Sequence, residues 1–183
     1  MGESEAKYLD VFPGWLHSLA GDAEALGAVL QARAGSDGAR EAIAAGLNYM
    51  FKSLDLVPDG TDDIGYLDDA FVLRIAADLA LREDTTGVGA DMLRDLNRLA
   101  SDADTVRGFL GADFARLEAY VIAQRKAAAR GRSAHDIARD AATCTAFLSD
   151  VRGFAKGYQP PNFGREDKNL VRLRAFFDAK LPK

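Results

Sequence analysis

A single all-α bundle of about seven or eight helices is the fold this sequence predicts, and three observations predict it. Apolar residues recur at three- and four-residue spacing in segment after segment, as in Phe71, Ile75 and Leu79. No stretch alternates Val, Ile and Thr with polar residues in the manner of a strand, and no internal repeat or low-complexity tract is present. With 183 residues, 48% hydrophobic and 28% charged, the chain suits one well-buried core and is short for two, so residues 1–183 read as one domain.

From Met1 to Leu19 the set Tyr8, Leu9, Val11, Phe12, Trp15, Leu16 and Leu19 is helical in spacing. Pro13 and Gly14 divide it into two short pieces whose aromatics staple it to the bundle. The alternative is that residues 1–34 form a mobile appendage. Asp22 is placed to cap a second helix through Leu26, Val29 and Leu30, and Gly35-Ser36-Asp37-Gly38 turns the chain into a third. That helix carries Ile43, Leu47, Met50, Phe51 and Leu54 on one face. Gly46 within it costs about 1 kcal/mol relative to Ala and so marks a close approach of another backbone. Pro58, Gly60 and Gly65 end helical geometry before a helix with Phe71, Val72, Ile75 and Leu79, so residues 37–82 form a helix-turn-helix hairpin.

Glu83 to Gly87 is a loop, followed by a helix with Val88, Met92, Leu96 and Leu99. After the polar break Ser101 to Asp104, the residues Val106, Phe109, Leu110, Phe114, Leu117, Val121 and Ile122 mark a helix running toward Arg130, kinked near Gly108 and Gly111. Ser133-Ala134-His135-Asp136 is a capping box with Asp in place of Glu, opening one helix through Ile137, Ala141, Cys144, Phe147, Leu148, Val151 and Phe154. Tyr158 to Gly164 is a rigid connection, and Glu166 to Lys180 is a last helix through Leu170, Leu173, Phe176 and Phe177.

The hairpin's turn holds the most unusual chemistry. Asp55, Asp59, Asp62, Asp63, Asp68 and Asp69 fall there with no Lys or Arg between Ser53 and Leu73. The order Asp55-Leu56-Val57-Pro58-Asp59, five residues, then Gly65-Tyr66-Leu67-Asp68-Asp69-Ala70 resembles the signature of the YkvA-like family (domain of unknown function 1232). That bacterial pattern runs roughly Ser-Pro-Ile-Asp-Leu-Ile-Pro-Asp, five residues, Gly-Tyr-Leu-Asp-Asp. Lys52-Ser53 departs from its Ser-Pro, and Gly60-Thr61-Asp62 from its apolar run, so this turn is more polar. The resemblance implies an α-helical hairpin and brings no established reaction; some members of the family are membrane-attached. Gly60 to Asp62 is accordingly expected at the surface, with Leu56, Val57, Tyr66 and Leu67 as anchors beneath.

The carboxylates have two readings. As structural groups, Asp68 and Asp69 cap the following helix and Asp55 and Asp59 brace the Pro58 turn, each cap contributing about 0.5–2 kcal/mol. As ligands, Asp55, Asp59, Asp68 and Asp69 would share a hard cation, Mg²⁺ or Ca²⁺, which prefers oxygen donors. Capping is preferred, since the calcium-loop template is not met: counted from Asp59, the Gly position is Ile64 and the Glu position is Ala70. Neither Asp62-Asp63 nor Asp68-Asp69 is followed by the third Asp that isoprenoid synthases require.

Other residues point to less. His135-Asp136 matches the metal-binding dipeptide of all-helical phosphohydrolases, but the only other histidine, His17, lies far upstream, so His135 reads as an exposed first-turn residue. Cys144 on a helical face reads as a small core hydrophobe, and as the single cysteine it fits a reducing, cytoplasmic setting. Arg125, Lys126, Arg130, Arg132 and Arg139 read as a solvated helix face, as do Lys168, Arg172, Arg174 and Lys180. A net charge of -5 argues against nucleic acid, and no apolar run reaches transmembrane length. Gly2 invites a myristoylation reading that Ala6 opposes. Two functions follow. One is a non-enzymatic module, with no cofactor, that binds another protein or self-associates through apolar surface near the motif. The other is a divalent-metal-dependent enzyme of hydrolase type using the Asp-rich turn. The module is preferred because no nucleophile or base with an orienting partner can be identified.

Overall fold

Pro13 does not break its helix. The computed structural model describes residues 3–183, and its first element is a single helix, α1, Glu3–Gln31, with Pro13 inside it. An interior proline costs about 3 kcal/mol through its missing amide hydrogen and ring clash. Against that, Phe12, Leu16, Leu19 and Leu26 are fully buried, and each such side chain contributes about 1.5–3 kcal/mol. Burial wins, so residues 5–31 are core rather than appendage. Asp22 consequently caps nothing; it lies buried in mid-helix. Met1 and Gly2, with the myristoylation reading, lie outside the described residues.

Helix α2, Asp37–Tyr49, is capped by the Ser36 side chain accepting from the Ala39 amide. It stops well before Leu54, so the three-and-four spacing overran the helix and left Leu54 81% exposed. Helix α3, Leu67–Leu81, is apolar nearly all round and contacts α1 and α2. Then come α4, Ala90–Ser101, and α5, Ala103–Leu110, separated only by Asp102 in helical geometry, and α6, Asp113–Ala123. The expected run of helix to Arg130 instead ends at Ala123. Residues 128–133 form a minimal antiparallel hairpin, β1 (Ala128–Ala129) with β2 (Arg132–Ser133), turning on Arg130 and Gly131, both at positive φ. Two left-handed residues in a two-residue loop suit the right-handed twist of paired strands.

The capping box at Ser133 and Asp136 is present, but the helix it opens, α7 (Ala134–Arg139), is short. Asp140 leaves helical geometry and its side chain accepts from the Thr143 amide, starting α8 (Ala141–Gly157) afresh. The last helix is α9, Asp167–Lys180. Among the described residues the architecture is all-α, with nine helical segments that become eight when α4 and α5 are taken as one broken helix.

The buried hydrophobic side chains form one continuous cluster centred on α3. Phe12, Trp15, Phe71, Phe109 and Phe177 interlock at ring separations of 5.0–5.9 Å, tying α1, α3, α5 and α9 together. Where α2 crosses α3, a Cβ on Gly46 would stand 2.5 Å from the Ala76 Cβ, so the close approach is to a side-chain methyl, with the nearest backbone atom, the Val72 carbonyl oxygen, at 3.7 Å. A buried ion-pair network, built on Arg74 and Asp22, sits in this core. Arg74, 1% exposed, donates to Asp102, Asp22 and the Ala70 carbonyl, and its guanidinium lies 4.1 Å from the Trp15 ring. Arg98 completes the second Asp22 oxygen at 2.9 Å. Among the described residues, no helix is long and apolar enough to cross a membrane.

Candidate functional site

The acidic turn is the segment between α2 and α3. Pro58 starts it, and the Thr61 amide returns to the Pro58 carbonyl at 2.8 Å and the Gly65 amide to the Thr61 carbonyl at 2.9 Å. A Cβ on Gly65 would lie 2.2 Å from the Asp59 carbonyl oxygen, so the fold admits only glycine there without moving the backbone. Asp63 and Tyr66 take left-handed φ, bringing the chain round into α3. Gly60 and Asp62 are exposed, Leu56, Val57 and Leu67 are buried, and Tyr66 is half-buried.

Asp68 and Asp69 lie in the first turn of α3, whose N-cap residue, Tyr66, makes no side-chain cap bond, and a backbone amide of that turn, that of Asp69 itself, tempers the rise at the Asp69 carboxyl. Asp68, fully buried, instead reaches across the turn. Its Oδ2 accepts from the Tyr49 hydroxyl and from the Val57 amide at 3.0 Å, while the Tyr49 hydroxyl accepts from the Leu56 amide at 2.8 Å. One carboxylate oxygen and one phenol thus satisfy two buried turn amides and fasten the end of α2 to the start of α3. The other oxygen of Asp68 and one oxygen of Asp69 are buried without a partner among the described residues. Burial is the main reason that both carboxyls are raised above the ordinary carboxylate range. The Asp68 charge adds to the rise at Asp69, and the bonds from Tyr49 and Val57 temper it at Asp68. Burial, then the Asp68 charge, pushes the Tyr49 hydroxyl up as well.

The two remaining candidates lie further out. Asp59 has its carboxyl turned toward Tyr66, and partial burial followed by the Asp55 charge raises it to about 6. Asp55 is also raised by burial, against the pull of Lys180 and Lys52, which are distant in sequence or just outside the acidic run. Asp55, Asp59, Asp68 and Asp69 therefore share one electrostatic field. Among the described residues, however, no three His, Cys, Asp or Glu side chains stand together as a set that could hold a metal ion. Asp62 and Asp63 line a shallow surface pocket together with Asp59, Pro161 and Asn162, and Asp63 accepts from Asn169 at 3.3 Å. His135 is exposed beside Glu41 at 3.0 Å, and Cys144 is buried, which pushes its thiol up.

Beside the turn opens a cleft of about 840 Å³, walled by Phe51 to Leu56 of the motif, Tyr120 of α6, Ala128 to Arg130 of the hairpin, and Lys180 of α9. Lys52 donates to the Tyr120 hydroxyl at 3.1 Å and to the Gln124 side chain at 2.8 Å. Arg130 lies 4.9 Å from the Phe51 ring, and Lys180 donates to the Asp55 carbonyl at 3.0 Å. The two sets of basic residues read as solvated helix faces thus divide. Arg130 belongs to a hairpin turn and Lys180 to a cleft, while Arg125 pairs with Glu83, Arg132 with Asp150, and Arg139 with Asp37 and Glu41. The sequence reading missed the cleft because its walls come from four separate segments. It also missed Arg74, whose signal was there: a lone cation inside the apolar run Phe71 to Leu81. No family model, no curated protein and no solved structure matches the chain.

Proposed function

We propose that the protein is a non-enzymatic binding module in which the acidic hairpin is the brace and the cleft beside it is the recognition surface. The observation that carries this reading is the use made of Asp68, whose bonded oxygen holds the Leu56–Val57 turn through Tyr49 and Val57. The segment so held, Phe51 to Leu56, is the cleft's wall, and Leu54 stands exposed at its rim. Residues 55–70 support kinship with the YkvA-like family, and the single buried cysteine is compatible with a cytoplasmic setting.

A second reading, a divalent-cation enzyme, is favoured by one feature, the two orphaned oxygens on Asp68 and Asp69. A thermal titration separates the two. On the module reading, Mg²⁺, Mn²⁺ and Ca²⁺ leave the melting temperature unchanged. A bound cation would add about 2.7 kcal/mol at a hundredfold excess over its dissociation constant. A shift that disappears in Asp59→Asn and Asp69→Asn would put the cation reading first.

A further inference from the structure

We infer that the cleft beside the motif is a binding site for a small organic phosphate, a phosphate monoester on a flat, apolar body. This rests on the binding-module reading and names its ligand class. The whole chain is acidic, at -5, yet this cleft is lined by three cations, Lys52, Arg130 and Lys180, against the one carboxylate of Asp55. Neither Lys52 nor Lys180 has an ion-pair partner among the described residues; each is held instead by neutral oxygens, of Tyr120 and Gln124 for Lys52 and of the Asp55 backbone for Lys180. Arg130 has a carboxylate only at 3.9 Å, and that carboxylate, Asp150, is engaged more closely by Arg132. Lys52 and Lys180 thus share the nearby charge of Asp55 and Arg130 shares Asp150 with Arg132, so the cleft lining keeps an excess of positive charge.

Arg130 adds an independent sign. Its backbone is left-handed, φ 51°, at the first position of a two-residue hairpin turn where Asn, Asp or Gly is the favoured residue. An arginine there is unfavourable for the turn, which points to use of its side chain over the cleft. Three cations presented from three elements suit an anion with oxygens in several directions and more than one charge. A tetrahedral phosphate meets that description better than a planar carboxylate, with Arg offering a fork of donors and each Lys a point charge. Phe51, Leu54 and Tyr120 supply apolar surface for the body of the ligand, and a cleft of about 840 Å³ is of small-molecule size.

The test is a ¹⁵N chemical-shift and calorimetric titration of the full chain at low salt with phenyl phosphate, with benzyl alcohol and benzylamine as neutral and cationic controls. Phenyl phosphate is expected to saturate one site, shifting the amides of residues 51–56 and 128–131, and to outcompete both controls. Arg130→Asn keeps the turn and removes the charge, and Lys180→Gln removes the second; each is expected to weaken binding about tenfold with an unchanged melting temperature. Millimolar phenyl phosphate without saturable shifts in the cleft would overturn the proposal, as would undiminished affinity in the double variant. If benzyl alcohol or benzylamine saturates the cleft and phenyl phosphate does not, the phosphate assignment fails while the binding-module reading stands. If no probe binds the cleft and a divalent cation raises the melting temperature, both fail.

Discussion

At the scale of single residues, the buried Asp68–Asp69 pair sets how stability depends on pH. Both carboxyls bind protons more tightly in the folded chain than in the unfolded one, where the value is about 3.9. Their contribution to stability is therefore fully present below that value and is lost as pH rises through their folded values. Asp69→Asn removes the burden and is expected to stabilise the protein by about 1–3 kcal/mol at pH 8, with the advantage shrinking toward pH 4. Urea unfolding of the two proteins across that range measures it, and a variant less stable at pH 8 would reverse the assignment. Arg74 is the opposite case. Burial pulls its guanidinium down, Asp22 and Asp102 hold it up, and removing it leaves the buried Asp22 with the Ser18 hydroxyl and the half-exposed Arg98 as partners. Arg74→Met is expected to cost about 3–5 kcal/mol, read from the same urea transitions.

At the scale of elements, the hairpin of α2 and α3 is held by contact closeness as much as by polar bonds. Gly46→Ala gains about 1 kcal/mol in helix propensity but drives a methyl against Ala76, so the expected net effect is a loss of about 1–2 kcal/mol, contrary to the usual gain at a helical glycine. Leu67→Ala, at a fully buried anchor, is expected to cost about 2–5 kcal/mol. A loss within error at either position would mean that α2 and α3 are less tightly joined. Elements whose apolar pattern is continuous or regular were legible: α3 is apolar along its length, and the amphipathic α9 was read to within a residue. Those decided by distant partners were not. Pro13 reads as a breaker until the burial of the α1 face is weighed against it, and the periodicity across Asp140 hides a break that only the Thr143 cap reveals. The acidic turn was visible as a cluster, but Asp68 looked like a cap because its partner, Tyr49, lies a full turn-segment upstream and gives no local pattern. The cleft joins residues 52, 130 and 180, which no window along the chain places together.

At the scale of the whole molecule, α1 is the common partner of α2, α3, α4, α8 and α9. Limited proteolysis under native conditions is therefore expected to leave residues 5–31 attached, and a chain lacking them is expected not to fold; release of that segment from a still-folded remainder would contradict the packing described above. The chain also carries its own optical probe. Trp15 is the single indole in the sequence, 6% exposed, with the Arg74 guanidinium on its face and Phe12 and Phe71 at its sides. Its emission consequently reports on the seam where the aromatic cluster meets the buried charge network, with no second fluorophore of its kind to dilute the signal. Folded protein should emit toward the blue and shift red on denaturation, and a red shift that precedes the loss of helical ellipticity would mean that this seam opens before the helices melt.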